Sequence, residues 1–125
     1  MKYSVSNCGF LADSFGTMAA LPPEFGVEIQ VEFGTEFYWK KMLAKVMAGR
    51  TGNLSIHGQF TDIALDAEEL DEKGILEYYK WGYDLYNRFG AKHFVIHPDG
   101  KLEAPVSEQE VAARRSRAID RIGKL

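Results

Sequence analysis

The clearest pattern in the chain is the alternation Gly26-Val27-Glu28-Ile29-Gln30-Val31-Glu32-Phe33-Gly34, with Val27, Ile29, Val31 and Phe33 on one face and Glu28, Gln30 and Glu32 on the other. A period of two is the signature of a strand with one buried side. Tyr3 to Asn7 alternates in the same way, and Leu54 to Phe60 and His93 to His97 are short apolar runs of strand length. Between them the period changes. Leu11 to Leu21 has room for a short helix, which Pro22-Pro23 must end because proline removes a donor and disfavours helix in the residue before it. Thr35 is placed to cap a helix carrying Trp39, Met42, Leu43, Val46 and Met47 at helical spacing, ending near Gly49. Asp66-Ala67-Glu68-Glu69 has capping-box spacing and predicts the start of a long helix through Ile75, Tyr79, Gly82, Tyr86 and Phe89, with Gly90 as terminator. Ser107-Glu108-Gln109-Glu110 predicts a last helix whose apolar face is Val111, Ala118, Ile122 and Leu125.

Strand followed by helix, four times over, predicts right-handed βαβ units, an α/β fold with a parallel sheet. A length of 125 residues suits one domain over 1–125, and no repeat or low-complexity linker divides it. With 46% hydrophobic and 26% charged residues, the composition is that of a globular chain. No apolar run approaches the roughly 18–20 residues that span a bilayer, and the first residues lack a signal-peptide core, so the expected setting is the cytoplasm with no membrane partner. The single cysteine, Cys8, rules out an internal disulfide and a cysteine-built metal site, and its expected place is a buried one. A net charge of −3 argues against binding along a phosphate backbone. Arg114, Arg115, Arg117 and Arg121 form one basic cluster, expected to be the solvated side of the last helix.

In parallel α/β folds the loops leaving the carboxyl ends of the strands open on one side, and function collects there. Those ends hold Asn7, Glu32, His57 and His97, each able to hydrogen-bond a hydroxyl, exchange a proton or ligate a metal. Each also has a structural reading: Asn7 as a turn residue, Glu32 as an ion-pair member, either histidine bonded to a turn carbonyl. Two histidines in equivalent places favour one shared site. His93 opens its strand and belongs to the opposite rim, whereas Asp62 and Asp99 lie in loops on the functional side. There is no Gly-rich phosphate loop, no Gly-x-Ser-x-Gly elbow and no His-Glu-x-x-His, so no nucleophilic constellation assigns a catalytic residue.

Three segments, Gly26-Val27-Glu28-Ile29, Ser55-Ile56-His57-Gly58-Gln59-Phe60-Thr61-Asp62-Ile63 and Gly90-Ala91-Lys92-His93-Phe94-Val95-Ile96-His97-Pro98-Asp99-Gly100, give the chain a resemblance to the sugar phosphate isomerase/epimerase superfamily, the xylose-isomerase-like TIM barrels. The resemblance implies four βα units of a TIM-barrel type fold, a half barrel with helices on the outer face of its sheet. It implies metal-dependent proton transfer on a small carbohydrate or sugar phosphate in the complete barrel, with His57 and His97 lining the substrate site, to which the strand-end reading adds Glu32 and Asn7. The divalent metal, Mn, Mg, Co or Zn, is bound in the family by carboxylates and a histidine of the second half, so none is expected from these four units. In the endonuclease IV branch the positions of His57 and His97 bind zinc instead. Gln59 departs from the proline of many members. A half barrel leaves two strand edges open and implies a homo-oligomer that covers them; a non-catalytic binding or assembly domain is the reading from a different class.

Overall fold

In the alternating segment the side chains of Val27, Ile29 and Val31 lose all contact with solvent, while Glu28 and Gln30 stay half-exposed. A computed structural model describes residues 3–9, 13–32, 35–58, 64–98 and 106–124, with the backbone alone at Tyr78. Its elements are β1 (Ser4–Ser6), α1 (Ser14–Ala20), β2 (Gly26–Gln30), α2 (Glu36–Met47), β3 (Leu54–His57), α3 (Glu72–Phe89), β4 (His93–Val95) and α4 (Glu108–Ile122), with a 3-10 turn, Asn7–Gly9, after β1. The four strands are all parallel and stand in the order β1-β2-β3-β4. This is the predicted α/β arrangement. Every crossover steps one strand onward, so right-handed connections put successive helices on the same side. Accordingly α1 packs on α2 and α2 on α3, over a core that joins Met18, Val27, Ile29, Leu43, Leu54, Ile56 and Leu85. Burying a side chain of this size contributes about 1.5–3 kcal/mol.

The register fixes what the opposite face carries. Ser6 pairs with Glu28, Glu28 with Ser55 and Ser55 with His93, while Gln30 pairs with His57 and His57 with Val95. Neighbours in register share a face, so Ser6, Glu28, Gln30, Ser55, His57, His93 and Val95 form the side away from the helices. No described helix covers it.

Several boundaries differ from expectation. The strands are shorter, β2 stopping at Gln30, β3 at His57 and β4 at Val95, so Glu32 and His97 lie in the loops just past their strands. Thr35 and Ser107 cap α2 and α4 as predicted, accepting from the backbone N–H groups of Tyr38 and Glu110. The capping box at Asp66 does not start α3. Asp71 does, accepting from the Gly74 N–H, because Asp66 is buried with its carboxylate on Arg114 and its carbonyl on Arg117. Gly90 ends α3 in the left-handed region at φ 62°, where glycine meets no Cβ penalty.

The last helix matches its predicted buried side at Ala118 alone. Of its described residues only Ala118 is fully buried, while Val111, Ile119 and Ile122 are exposed; Leu125 lies outside the described residues. The arginine side turns inward instead. Arg117 donates to the Asp66 carbonyl, and Arg121 to the carbonyls of Leu65, Ala67 and Glu68 and to the Glu72 carboxylate. Arg114, Arg117 and Arg121 follow an i, i+3, i+7 spacing and so share one side of the helix; Arg115 alone stays solvated, as expected. The segment after β3 offers a row of carbonyls with no strand or helix to bond them, and guanidinium groups satisfy such a row better than apolar side chains could.

Candidate functional site

His57 is the last residue of β3, and Gly58 holds it in place. The Gly58 N–H donates to the Val95 carbonyl at 2.9 Å, extending the β3–β4 ladder by one bond. The Gly58 carbonyl lies 3.0 Å from His57 Nδ1. A side chain is tight at that position, since a Cβ would stand 3.0 Å from the rings of both Phe94 and Tyr79. The strand therefore delivers a histidine whose ring is oriented by the next residue's backbone.

His97 meets it from the loop after β4. The two Nε2 atoms are 2.9 Å apart, with ring centroids 4.8 Å apart and planes at 44°. The tautomers follow from the partners. A carbonyl only accepts, so His57 Nδ1 carries the proton and, in the neutral ring, its Nε2 is a lone pair. His97 Nε2 must then be the donor. Together the pair presents one acceptor and one donor nitrogen at the carboxyl end of two adjacent parallel strands.

Asn7 has a different occupation. Its Oδ1 accepts from the Gln30 N–H at 2.8 Å and its Nδ2 donates to the Gln30 carbonyl at 3.4 Å, so the side-chain amide pairs with backbone as another strand residue would. Asn7 thereby prolongs the β1–β2 ladder past Ser6. Glu32 is buried, 6% exposed, beyond the end of β2. It lines an open cleft of about 290 Å³ with Asn7, Gln30, Tyr38 and Trp39. Structure thus places His57 with His97, and Glu32 with Asn7, at the same end of the sheet. Asp62 and Asp99 lie outside the described residues.

Sequence reasoning missed Gln30, Tyr38 and Trp39 as members of this rim. Trp39 was expected in the core and is there, packed with Phe15 at 5.6 Å between ring centroids, but it also walls the cleft, and its buried Nε1–H has no hydrogen-bond partner among the described residues. The signal was available: α2 begins within a few residues of β2, so its first turn must sit at the carboxyl rim. Cys8 is exposed rather than buried, with Sγ against the Gln30 side-chain carbonyl. The turn at Asn7–Gly9 carries it out of the sheet before it can point into the core.

For a divalent metal the described residues supply two converging imidazole nitrogens. Among them no group of three His, Cys, Asp or Glu side chains is gathered, whereas a zinc site takes three or four protein ligands. The residues described therefore do not fit a metal centre, and no chemical step is derived through one. No helix among them is long and apolar enough to cross a membrane. Comparison with protein-family models, curated proteins and solved structures finds no match to this chain.

Proposed function

We propose that this chain is a sugar isomerase- or epimerase-like half barrel in which His57 and His97 bind a hydroxyl of a small carbohydrate or sugar phosphate. The observation that carries the reading is the 2.9 Å approach of their Nε2 atoms at neighbouring strand ends. A hydroxyl is both donor and acceptor, and so is the pair. When a sugar hydroxyl replaces the direct contact, its proton goes to His57 Nε2 and its oxygen accepts from His97 Nε2. Glu32, buried in the adjacent cleft with Tyr38 and Trp39, offers acceptors to further hydroxyls, and Trp39 offers an indole donor and an apolar wall.

Imidazole is suited to moving a proton beside a sugar carbonyl near neutral pH. A divalent ion, Mn, Mg, Co or Zn, belongs to the family resemblance only, since the described residues gather no ligand set for one. The same reading gives the chain a second copy of itself as a partner, because among the described residues no strand pairs with the outer sides of β1 and β4. Titrating a panel of keto-sugars and their phosphates into the ¹⁵N-labelled protein tests the assignment. Ligand-dependent shifts at both imidazoles, abolished by His57→Ala, are expected; a panel that leaves both rings unmoved sinks the reading.

The binding-domain alternative keeps these contacts without turnover, and isomerase assays with Mn²⁺, Mg²⁺ or Co²⁺ separate the two. An endonuclease IV-like role would have His57 and His97 on zinc and needs a basic surface for the backbone of DNA. Three of the four clustered arginines are instead engaged by carboxylates and carbonyls of this chain.

A further inference from the structure

The two edges of the sheet differ in what flanks them. At β4, the Gly58 N–H bonds the Val95 carbonyl, so strand alternation turns the N–H and C=O of Phe94 outward, away from β3. At β1, the Gly26 N–H bonds the Tyr3 carbonyl, which turns the backbone groups of Ser4 and Ser6 outward in the same way. The β4 edge is bordered by apolar surface. One groove of about 470 Å³ runs past Leu76, Tyr79, Tyr83, Phe94, Ile96 and Ile122, and another of about 480 Å³ lies beside Pro98, Val111, Ile119 and Ile122. Five of the eight exposed large hydrophobic residues among those described, Leu76, Tyr83, Val111, Ile119 and Ile122, belong to this one side. At the β1 edge Tyr3 is 59% exposed and packs on Phe25 at 6.0 Å between ring centroids.

We infer that the β4 edge of one copy pairs in parallel with the β1 edge of a second, and that a twofold axis repeats the seam to close eight strands. The inference rests on the half-barrel reading with its second copy as partner, and adds to it the seam and the symmetry. Four strands in sequential order with helices on one side have one edge of each kind, so a single twofold operation satisfies both at once. Eight tilted parallel strands are a number that closes around a filled interior. Closure also encloses the polar face. Ser6, Glu28, Ser55 and His93 stand in one register row, and a second such row supplies hydroxyls and imidazoles for the Glu28 carboxylates to accept from. The apolar borders of β4 would be covered by the β1 side of the partner, where Tyr3 and Phe25 stand. Both His57–His97 pairs would then open on one mouth.

Light scattering of the whole chain, without sugar, should give twice the 14.1 kDa chain mass. Ser4→Pro blocks the β1 edge without removing a ladder bond, because its N–H points outward, and edge strands tolerate proline. Ile122→Asp places a charge in both grooves beside β4. Each variant alone should fall to half the wild-type mass with unchanged circular dichroism. Mixed in equal amounts, they should associate again, since one unblocked β4 edge then meets one unblocked β1 edge. A wild-type monomer at high concentration overturns the inference. So does a dimer that survives both substitutions, or a mixture that stays monomeric, because face-to-face or like-edge dimers would behave in those ways. Should Ser4→Pro fail to fold, Ile122→Asp decides alone: a monomer supports the seam and a dimer overturns it. A dimer whose imidazoles ignore every sugar would fail the proposed function and leave the seam standing.

Discussion

Gly58 shows how one backbone position can set a histidine's chemistry. Its N–H ties β3 to β4, its carbonyl takes the His57 Nδ1 proton, and its missing side chain makes room for Phe94 and Tyr79. Gly58→Ala should therefore destabilise the fold by about 1–3 kcal/mol, the usual range for overpacking, read as a lower urea midpoint at unchanged slope. The imidazole shifts of both histidines should change with it; a variant of wild-type stability would contradict the packing argument. The tautomers make a second prediction. In long-range ¹H–¹⁵N spectra at alkaline pH, His57 should appear as the Nδ1–H form and His97 as the Nε2–H form, and the opposite assignment for His57 would remove the Gly58 hydrogen bond. The positions of both histidines were legible as strand ends, because a parallel sheet sends all its carboxyl ends to one rim. Their contact was not, nor was the occupation of Asn7. Whether a side-chain amide faces a ligand or a neighbouring backbone depends on a register that no local pattern states.

At the scale of elements, two arginines hold loops that lack regular hydrogen bonding. Arg50 donates to the carbonyls of Met18, Pro22, Phe25 and Val46, fastening the connection between α1 and β2 to the end of α2. Arg121 does the same for the segment before α3. Removing such a donor leaves several carbonyls to find water, so Arg121→Ala should cost about 1–3 kcal/mol and speed amide exchange over residues 64–72. Unchanged exchange there would mean the clasp is not what orders the loop. Acid should loosen the same contact. Hydrogen bonds from Lys124 and then Arg121 hold the Glu72 carboxyl below its ordinary value of 4.5, and those from Arg114 and then Arg117 do so for Glu110. A carboxylate with a lowered folded-state value contributes stability in full above its unfolded value and loses it as pH falls through the folded one. The packing of α4 should therefore be independent of pH near neutrality and weaken progressively below about 4.5. Sequence placed a helix here correctly and buried Ala118 correctly, but apolar periodicity does not show that Val111 and Ile122 stay exposed while three arginines turn inward. The carbonyl row that the arginines satisfy arises only when the segment after β3 folds back. Asp66 was misread for the same reason: its capping-box spacing is real, but the carboxylate is taken by Arg114, 48 residues away.

Across the whole molecule, the core among the described residues falls into two parts. The larger joins α1, α2 and α3 to β2 and β3; the smaller gathers Leu65, Tyr79 and Ala118 with Leu70, Ile75 and Ile96. Phe94 packs against both, its ring 6.0 Å from Tyr83 and 6.2 Å from Tyr79 and Tyr86 between centroids, each at a steep angle. The larger part was legible because the alternation in β2 and the stripe on α2 point at each other. The smaller depends on contacts distant in sequence and on one aromatic ring shared between layers. The consequence is uneven cooperativity. Helix α4 buries only Ala118 completely and is otherwise held by the arginine clasp, so it should open at lower free energy than the sheet. Native-state hydrogen exchange should show α4 amides exchanging through a partial opening while those of Ile29 and Ile56 need global unfolding. Phe94→Ala should destabilise the sheet by less than the about 3–5 kcal/mol of a fully buried phenylalanine, since Phe94 is only partly buried, and should also lower protection in α4, because the ring is the packed link between the two clusters. If the substitution leaves α4 protection unchanged, the helix is coupled to the rest through its arginines alone, and Arg121→Ala should then release it without affecting Ile29 or Ile56.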